Sequence, residues 1–164
     1  MDIKTSFWVL ANKLTFGSLS RFYSGLASES IKNDIAKSYS LMVNGNALPD
    51  IRLTSHKLQQ FMQIMTNFRN VCAHDERFYN HTTPHVRGFD GTPAKVSDLA
   101  RIMMRMLSFS NGEVFGNELM KRLKSFHDSC PVNEVMHKAI IFETGLLDGI
   151  ENEIALIEKA RSKK

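Results

Sequence analysis

The stretch SHKLQQFMQIMTNFRNVCAHDERFYN, residues 55–80, decides the fold of this chain. Apolar side chains recur through it at steps of three and four residues. They are Leu58, Phe61, Met62, Met65, Phe68 and Cys72. This spacing places them in one stripe over about four turns of an α-helix, with polar residues between them. Ser55 precedes the stripe and is a residue type favoured at N-caps. The sequence therefore predicts a long amphipathic central helix.

Similar spacing predicts helices before the central one. The first segment carries Phe7, Leu10, Leu14, Leu19, Phe22, Tyr23 and Leu26. Gly17 marks either a break between two helices or a close contact between helices. Ser28 is a candidate cap for a second helix that ends near the turn signal Asn44-Gly45. Its inner face is expected to hold Ile31, Ile35 and Tyr39.

The segment after the central helix also predicts helices, and no convincing alternating strand is seen. Prolines and glycines predict a loop at about 80–95, and Asn111-Gly112 predicts a break. The expected inward residues of the next helix, opened by Ser97, are Leu99, Ile102, Met103, Met106 and Leu107. Further helices are expected at 114–126, where the inward residues are Phe115, Leu119, Leu123 and Phe126, and near 132–142 and 147–160. The prediction is a single all-α domain spanning 1–164, a bundle of about six helices with a frayed tail at 161–164.

From the composition we expect one soluble domain and not a membrane protein. The chain has 164 residues, 43% of them hydrophobic, and a net charge of +4. No apolar run reaches the roughly 20 residues needed to cross a bilayer, and no signal peptide is visible, so a cytoplasmic location is expected. Cys72 and Cys130 belong to no metal-ligand pattern and are expected to be free thiols. The positive charge permits RNA binding without establishing it.

A polar face occupies the C-terminal end of the predicted central helix. At about 100° per residue, with Arg69 set to zero, the apolar stripe centres near about −50°. Asn70 then falls near about +100°, His74 near about +140° and Arg77 near about +80°. Arg69 therefore stands at the edge of the stripe, and the other three share a face turned away from it. A solvated surface, or a helix end favoured by the helix dipole, fits this pattern as well as a binding site does.

The residue types on that face suit phosphate chemistry. Arginine binds phosphate through paired N–H groups, and histidine moves protons near neutral pH. RNA brings its own nucleophile, the 2′-hydroxyl. Its cleavage needs only a general acid/base and positive charge at the phosphorus, and no metal cofactor.

Longer strings in the chain resemble a known family. RNVCAH, residues 69–74, resembles the HEPN superfamily signature, in which an Arg followed by Asn precedes a His by a short spacer. RNVCAHDERFYN at 69–80, together with LTFGSLSRFYSGL at 14–26 and IKNDIAKSYSL at 31–41, resembles the Abi family of AbiD/AbiF-type abortive-infection proteins. The close resemblance spans about residues 7–80. Members commonly carry a further N-terminal region, so a compact member, a fragment and a degenerate copy all remain open.

This resemblance implies a HEPN-like bundle that pairs as a homodimer and cleaves RNA in phage defence without a metal. It implies that Arg69 holds the scissile phosphate, that His74 acts as acid/base and that Asn70 orients His74 or the substrate. Arg77 is expected to add a substrate contact. The dimer is expected through the Asn70/His74 face, because the family's cleft combines the Arg and His of both copies. An antitoxin or other regulatory protein is a further possible partner.

Other functions compete with the nuclease. A non-catalytic helical module could bind RNA or protein as a sensor or regulator in a defence or toxin–antitoxin system. A small nucleotide could occupy the cleft in place of RNA. His74, Asp75, His81 and His85 could form a metal cluster, although their spacing matches no known metal motif. The basic residues Arg101, Arg105, Lys121, Arg122 and Lys124 could line a nucleic-acid groove or simply form solvated helix faces.

Overall fold

The computed structural model describes residues 14–44, 52–74, 78, 80–107, 109–129 and 145–162. These residues form six helices and one two-stranded sheet. The helices are α1 (Phe16–Gly25), α2 (Glu29–Asn44), α3 (Ser55–Ala73), α4 (Val96–Met106), α5 (Phe109–Ser129) and α6 (Leu146–Arg161). The all-α prediction is confirmed. The helix predicted near 132–142 lies outside the described residues, and so do Phe7 and Leu10. Within the described helices, none is both long and apolar enough to cross a membrane.

Helices α1 and α2 both pack on the central helix α3. Tyr23 connects all three, because its hydroxyl donates to the carbonyl oxygens of Lys32 at 3.0 Å and Ser55 at 3.4 Å. Burial raises the pKa of this phenol, and the nearby Glu29 carboxylate raises it further. The Ser55 hydroxyl donates to Glu29 at 2.7 Å, so it does not cap α3 as predicted. The cap is Thr54, whose Oγ1 accepts from the Lys57 amide at 3.2 Å.

The predicted inner face of α2 is wrong. Ile31 and Ile35 are 51% and 40% exposed, whereas Ala36 and Ser40 are buried. Only Tyr39 of the predicted set packs against the core. The distance between two helices depends on the side chains at their contact, and small residues allow a closer approach. Helix α2 therefore contacts α3 through its small residues, and its isoleucines remain outside. The predicted Ser28 cap is confirmed, since its hydroxyl accepts from the Ile31 amide at 3.4 Å.

Helices α4, α5 and α6 pack against one another around Ile102, Met104, Ile150 and Ile157. The break predicted at Asn111-Gly112 is wrong, because α5 runs through it without interruption. A Cβ on Gly112 would lie 2.5 Å from the carbonyl oxygen of Met104. This glycine therefore allows α5 to approach the α4 backbone closely and does not end a helix.

The buried face of α4 also differs from the prediction. Arg105, which was expected on a solvated or nucleic-acid-binding face, is 6% exposed. Its Nε and Nη2 donate to the two carboxylate oxygens of the fully buried Glu153, at 2.6 and 3.0 Å. Arg101 Nε donates to the same carboxylate at 3.3 Å. Both guanidinium groups lie over the Phe89 ring, with Cζ at 3.9 and 4.5 Å from its centroid. These two arginines therefore join α4 to α6 and are not a ligand surface.

A small hairpin lies in the segment predicted as a loop. Strands β1 (Thr83–Arg87) and β2 (Pro93–Ala94) pair antiparallel with an irregular register. Asp98 fastens the hairpin to α4, because its carboxylate accepts from the backbone amides of Phe89 at 2.9 Å and Lys95 at 2.8 Å. Strands of five and two residues that contain prolines give too little alternation for a sequence pattern to reveal them.

Candidate functional site

The site lies at the C-terminal end of α3. The helix ends at Ala73, and His74 is the C-cap residue, with its backbone N–H donating to the carbonyl oxygens of Asn70 at 3.0 Å and Val71 at 3.3 Å. Asn70 therefore lies in the last turn of the helix, and Arg69 directly precedes that turn.

The three central site residues are all exposed. Helical geometry predicted this for Asn70 and His74 and placed Arg69 at the edge of the apolar stripe. Arg69, Asn70 and His74 face outward, whereas Phe68 and Val71 between them are 1% and 4% exposed. The core face and the polar face of α3 are thus separate surfaces at this end of the helix. Arg77, the fourth predicted residue, lies outside the described residues.

Two of the site side chains contact each other directly. Arg69 Nη1 donates to Asn70 Oδ1 at 3.2 Å. Within the ranges that the structure describes, no carboxylate pairs with Arg69, and the His74 imidazole makes no hydrogen bond or ion pair. An arginine without an acidic partner keeps its N–H donors available for an anion such as phosphate. The end of α3 therefore exposes a guanidinium, an amide and an imidazole within six consecutive residues, and the structure brings the first two into contact.

Arg69 also borders an apolar groove that the sequence analysis did not predict. The groove has a volume of about 350 Å³. Its lining residues come from α1, α3, α4 and the segment after α3, and they are Phe16, Met65, Phe68, Arg69, Cys72, Phe78, Leu99 and Met103. Cys72 and Met103 were predicted to face the core, but Cys72 is an exposed free thiol and Met103 is 39% exposed. The apolar stripe of α3 thus divides between the core and an open groove.

Aromatic contacts hold the chain that follows α3 against this groove. The Phe68 ring lies edge-on to Phe78, with centroids 5.5 Å apart, and edge-on to His81 at 5.3 Å. His81, considered above as a metal ligand, therefore packs against the helix. In the described ranges, no three His, Cys, Asp or Glu side chains come together as a possible metal site. Asp75 lies outside those ranges.

The five basic residues considered as a nucleic-acid groove do not act together. Arg101 and Arg105 pair with Glu153, as described above. Arg122 pairs with Glu118 on its own helix at 2.9 Å. Lys121 and Lys124 line a separate depression along α5. A groove formed by all five residues is therefore wrong, because Arg105 is buried and pairs, like Arg101, with Glu153. Nucleic-acid binding by Lys121, Arg122 and Lys124 stays a prediction.

Comparison with known families identifies the segment that carries the site. Residues 2–80 match the family model described as Abi-like protein. This part of the chain is similar to Abi-like proteins. The resemblance predicted from the strings at 14–26, 31–41 and 69–80 is confirmed at the level of the Abi family. The Abi-like segment contains α1, α2 and α3 with Arg69, Asn70 and His74, whereas α4, α5 and α6 lie beyond it. No curated protein and no solved structure matches the chain.

Proposed function

We propose that this protein is a metal-independent endoribonuclease of the HEPN superfamily, of the AbiD/AbiF type, that acts in phage defence by abortive infection. The Abi-like match supports the biological setting. The chemistry rests on one observation, the exposed group of Arg69, Asn70 and His74 at the end of α3 with no acidic side chain paired to Arg69 in the part of the chain described.

The proposed reaction uses the RNA's own 2′-hydroxyl. His74 removes the proton of that hydroxyl, and the 2′-oxygen attacks the adjacent phosphorus. Arg69 binds the non-bridging phosphate oxygens and stabilises the charge that develops on them. The bond from phosphorus to the 5′-oxygen breaks, and this oxygen takes up a proton from an imidazolium. The products carry a 2′,3′-cyclic phosphate and a 5′-hydroxyl. Asn70 positions the Arg69 guanidinium, and Arg77 adds a phosphate contact.

A homodimer completes this site in the proposal. One imidazole cannot easily serve the attacking and the leaving oxygen at once, because the two lie on opposite sides of the phosphorus. Pairing two copies through the Asn70/His74 face supplies a second imidazole and a second guanidinium. The exposure of all three residues is compatible with such a pairing.

An RNA digest with purified protein tests the proposal. His74→Ala is expected to lower the cleavage rate by about 10²- to 10⁴-fold, the usual contribution of a general acid or base. Arg69→Ala is expected to lower it by about 10²- to 10³-fold through loss of charge stabilisation. EDTA should leave the rate unchanged, and end-group analysis should find cyclic phosphates.

Matched controls lie on or beside the same helix. His56 and Arg52 are exposed near the N-terminal end of α3, far along the helix from the site. His56→Ala and Arg52→Ala should cleave at the wild-type rate. An equal loss of cleavage rate in the control and site variants would contradict the assignment of Arg69 and His74 to the catalytic site. RNA binding without any cleavage would contradict the nuclease and support a non-catalytic Abi-like module, acting as sensor or regulator.

A further inference from the structure

We propose that the apolar groove beside Arg69 binds one nucleobase of the RNA, next to the phosphate that Arg69 holds. This inference rests on the proposed function and deepens it, because it adds a base-binding subsite to the phosphate-binding group. The groove is the space of about 350 Å³ lined by α1, α3, α4 and Phe78.

The lining of the groove suits a flat aromatic ligand. Three of its eight lining residues, Phe16, Phe68 and Phe78, are phenylalanines, and Met65 and Met103 add two thioethers. Bases stack on aromatic side chains without regard to their hydrogen-bonding edges, and thioether sulfur also contacts aromatic rings favourably. Phe68 is 1% exposed and offers little surface to a ligand itself, but its contact with Phe78 holds that ring in place beside the groove.

The charge at the groove specifies which aromatic ligand fits. Arg69 is the one charged residue among the eight described residues that line it. Its described side-chain contact is the neutral Asn70 amide oxygen at 3.2 Å. A ligand that fills the apolar groove and also binds the Arg69 guanidinium must therefore carry an apolar ring and an anionic group about one side-chain length apart. A nucleotide has this combination, with its base on one side of the sugar and its phosphate on the other.

The size of the groove favours a single nucleotide over a protein partner. Small-molecule pockets span about 300–1,000 Å³, and this groove lies at the lower end of that range. A helix or second copy would need a long apolar surface, whereas here the apolar lining ends at Arg69 and continues into the polar Asn70/His74 face. Continuity with that face is what places the base beside the reacting phosphate.

Alkylation of Cys72 tests occupancy without any cleavage. Cys72 is an exposed free thiol in the groove lining. Trypsin releases it in the peptide 70–77, whereas Cys130 appears in the peptide 125–138, so one wild-type digest follows both thiols. Adenosine 3′-monophosphate at ten times its dissociation constant should slow Cys72 alkylation by about tenfold. Ribose 5-phosphate and inorganic phosphate should give no protection, and neither should decanoate, an apolar anion without a ring.

A pair of phenylalanine variants tests the aromatic contact. Phe16 and Phe22 are both exposed on α1, at 38% and 55%, but only Phe16 lines the groove. Phe16→Ala should weaken binding of adenosine 3′-monophosphate by about 5- to 100-fold, the usual loss for one base–aromatic stack. Phe22→Ala should change it by less than about twofold, as expected for a surface substitution.

The outcomes separate this inference from the proposed function. One outcome is RNA cleavage that depends on His74, with a nucleotide that neither slows Cys72 alkylation nor binds more weakly to Phe16→Ala. That result would overturn the base site and leave the nuclease proposal standing. Protection of Cys72 by the nucleotide without any RNA cleavage would support the base site and contradict the nuclease. Equal protection by decanoate, or equal slowing of both thiols, would overturn the base site.

Discussion

The arginines of this protein show how one residue type serves two purposes. Arg105 and Arg101 reach the carboxylate of Glu153, which stands 48 and 52 positions later in the chain. Among the residues that the structure describes, Arg69 contacts the side-chain amide oxygen of the neighbouring Asn70. A guanidinium with a buried carboxylate holds the fold together, whereas one without it can hold an external anion. Helical spacing does not distinguish these three arginines, because it carries no information about which of them pairs with a carboxylate from a distant part of the chain.

Removing the shared carboxylate should strongly destabilise the protein. Glu153→Gln leaves the buried Arg105 guanidinium without its counter-charge, and breaking a buried pair in this way usually costs about 3–5 kcal/mol. The free energy of unfolding, measured by urea denaturation, should fall by that amount. Glu151→Gln on the same helix is the control, since Glu151 is exposed and should change stability by less than about 0.5 kcal/mol. Equal stability of both variants would contradict the structural role.

The turn between the two strands should show a pH effect with a defined sign. Hydrogen bonds from the Thr92 side chain and backbone, with a smaller contribution from Lys95, lower the pKa of Asp90 below its ordinary 3.8. The folded state therefore favours the charged carboxylate. This contribution to stability is present above pH 3.8 and is lost as the pH falls through the lower folded pKa.

Thr92→Val removes the largest cause of that shift. The Thr92 hydroxyl donates to Asp90 Oδ1 at 2.7 Å, and valine keeps the shape without the donor. The pKa of Asp90, followed by NMR titration of its carboxyl carbon, should move upward toward 3.8. An unchanged pKa would show that the backbone amide alone sets it. His85→Ala on the adjacent strand, where the side chain is exposed, should leave the Asp90 titration as it is in the wild type.

At the scale of the elements, small residues decide how closely the helices pack. Ala36 of α2 packs with Leu58 and Met62 of α3, and α5 contacts α4 through Gly112 and Gly116. Ser40 of α2 accepts a hydrogen bond from the Leu53 amide just before α3. Nothing in the sequence pattern marks Ala36, Ser40 or Gly116 as contact residues, and Asn111-Gly112 predicts a break in the helix. A glycine inside a helical pattern has two opposite explanations, a helix end and a close contact, and local sequence does not separate them.

Gly112→Ala should destabilise the contact between α4 and α5. The new methyl group would lie 2.5 Å from the carbonyl oxygen of Met104, a backbone atom that cannot move aside easily. Such overpacking typically costs about 1–3 kcal/mol, which exceeds the gain in helix propensity of up to about 1 kcal/mol. Thermal and urea unfolding measure the difference. Gly25→Ala, where a Cβ meets nothing within 4 Å, should leave stability unchanged or raise it.

At the scale of the whole molecule, the Abi-like segment and the helices beyond it build one groove together. Tyr39 on α2 donates its hydroxyl to the Met106 carbonyl oxygen at 2.8 Å, which links the segment to the end of α4. Leu99 and Met103 of α4 form one wall of the groove, and Arg69 of α3 stands at its border. The later helices therefore complete a surface that the Abi-like segment begins.

If two copies form one catalytic cleft, an inactive copy should inhibit an active one. Excess His74→Ala protein mixed with wild type, and allowed to exchange subunits, should lower the RNA cleavage rate per wild-type chain several-fold. Excess His56→Ala should not, because that residue lies at the other end of α3. Analytical ultracentrifugation gives the oligomeric state under the same conditions. A strictly monomeric enzyme with full activity would contradict the composite site.

The sequence by itself determined the helical class, the central helix, the exposed polar face with Arg69, Asn70 and His74, and the Abi-like resemblance. Each of these depends on residues close together along the chain, where helical periodicity and short strings carry the information. Tertiary structure alone decided that Arg105 forms a buried ion pair with Glu153. It also decided that Cys72 and Met103 line a groove and that Ile31 and Ile35 face outward. Periodicity fixes which side chains share a face of a helix. Which part of that face another element covers depends on contacts between distant residues.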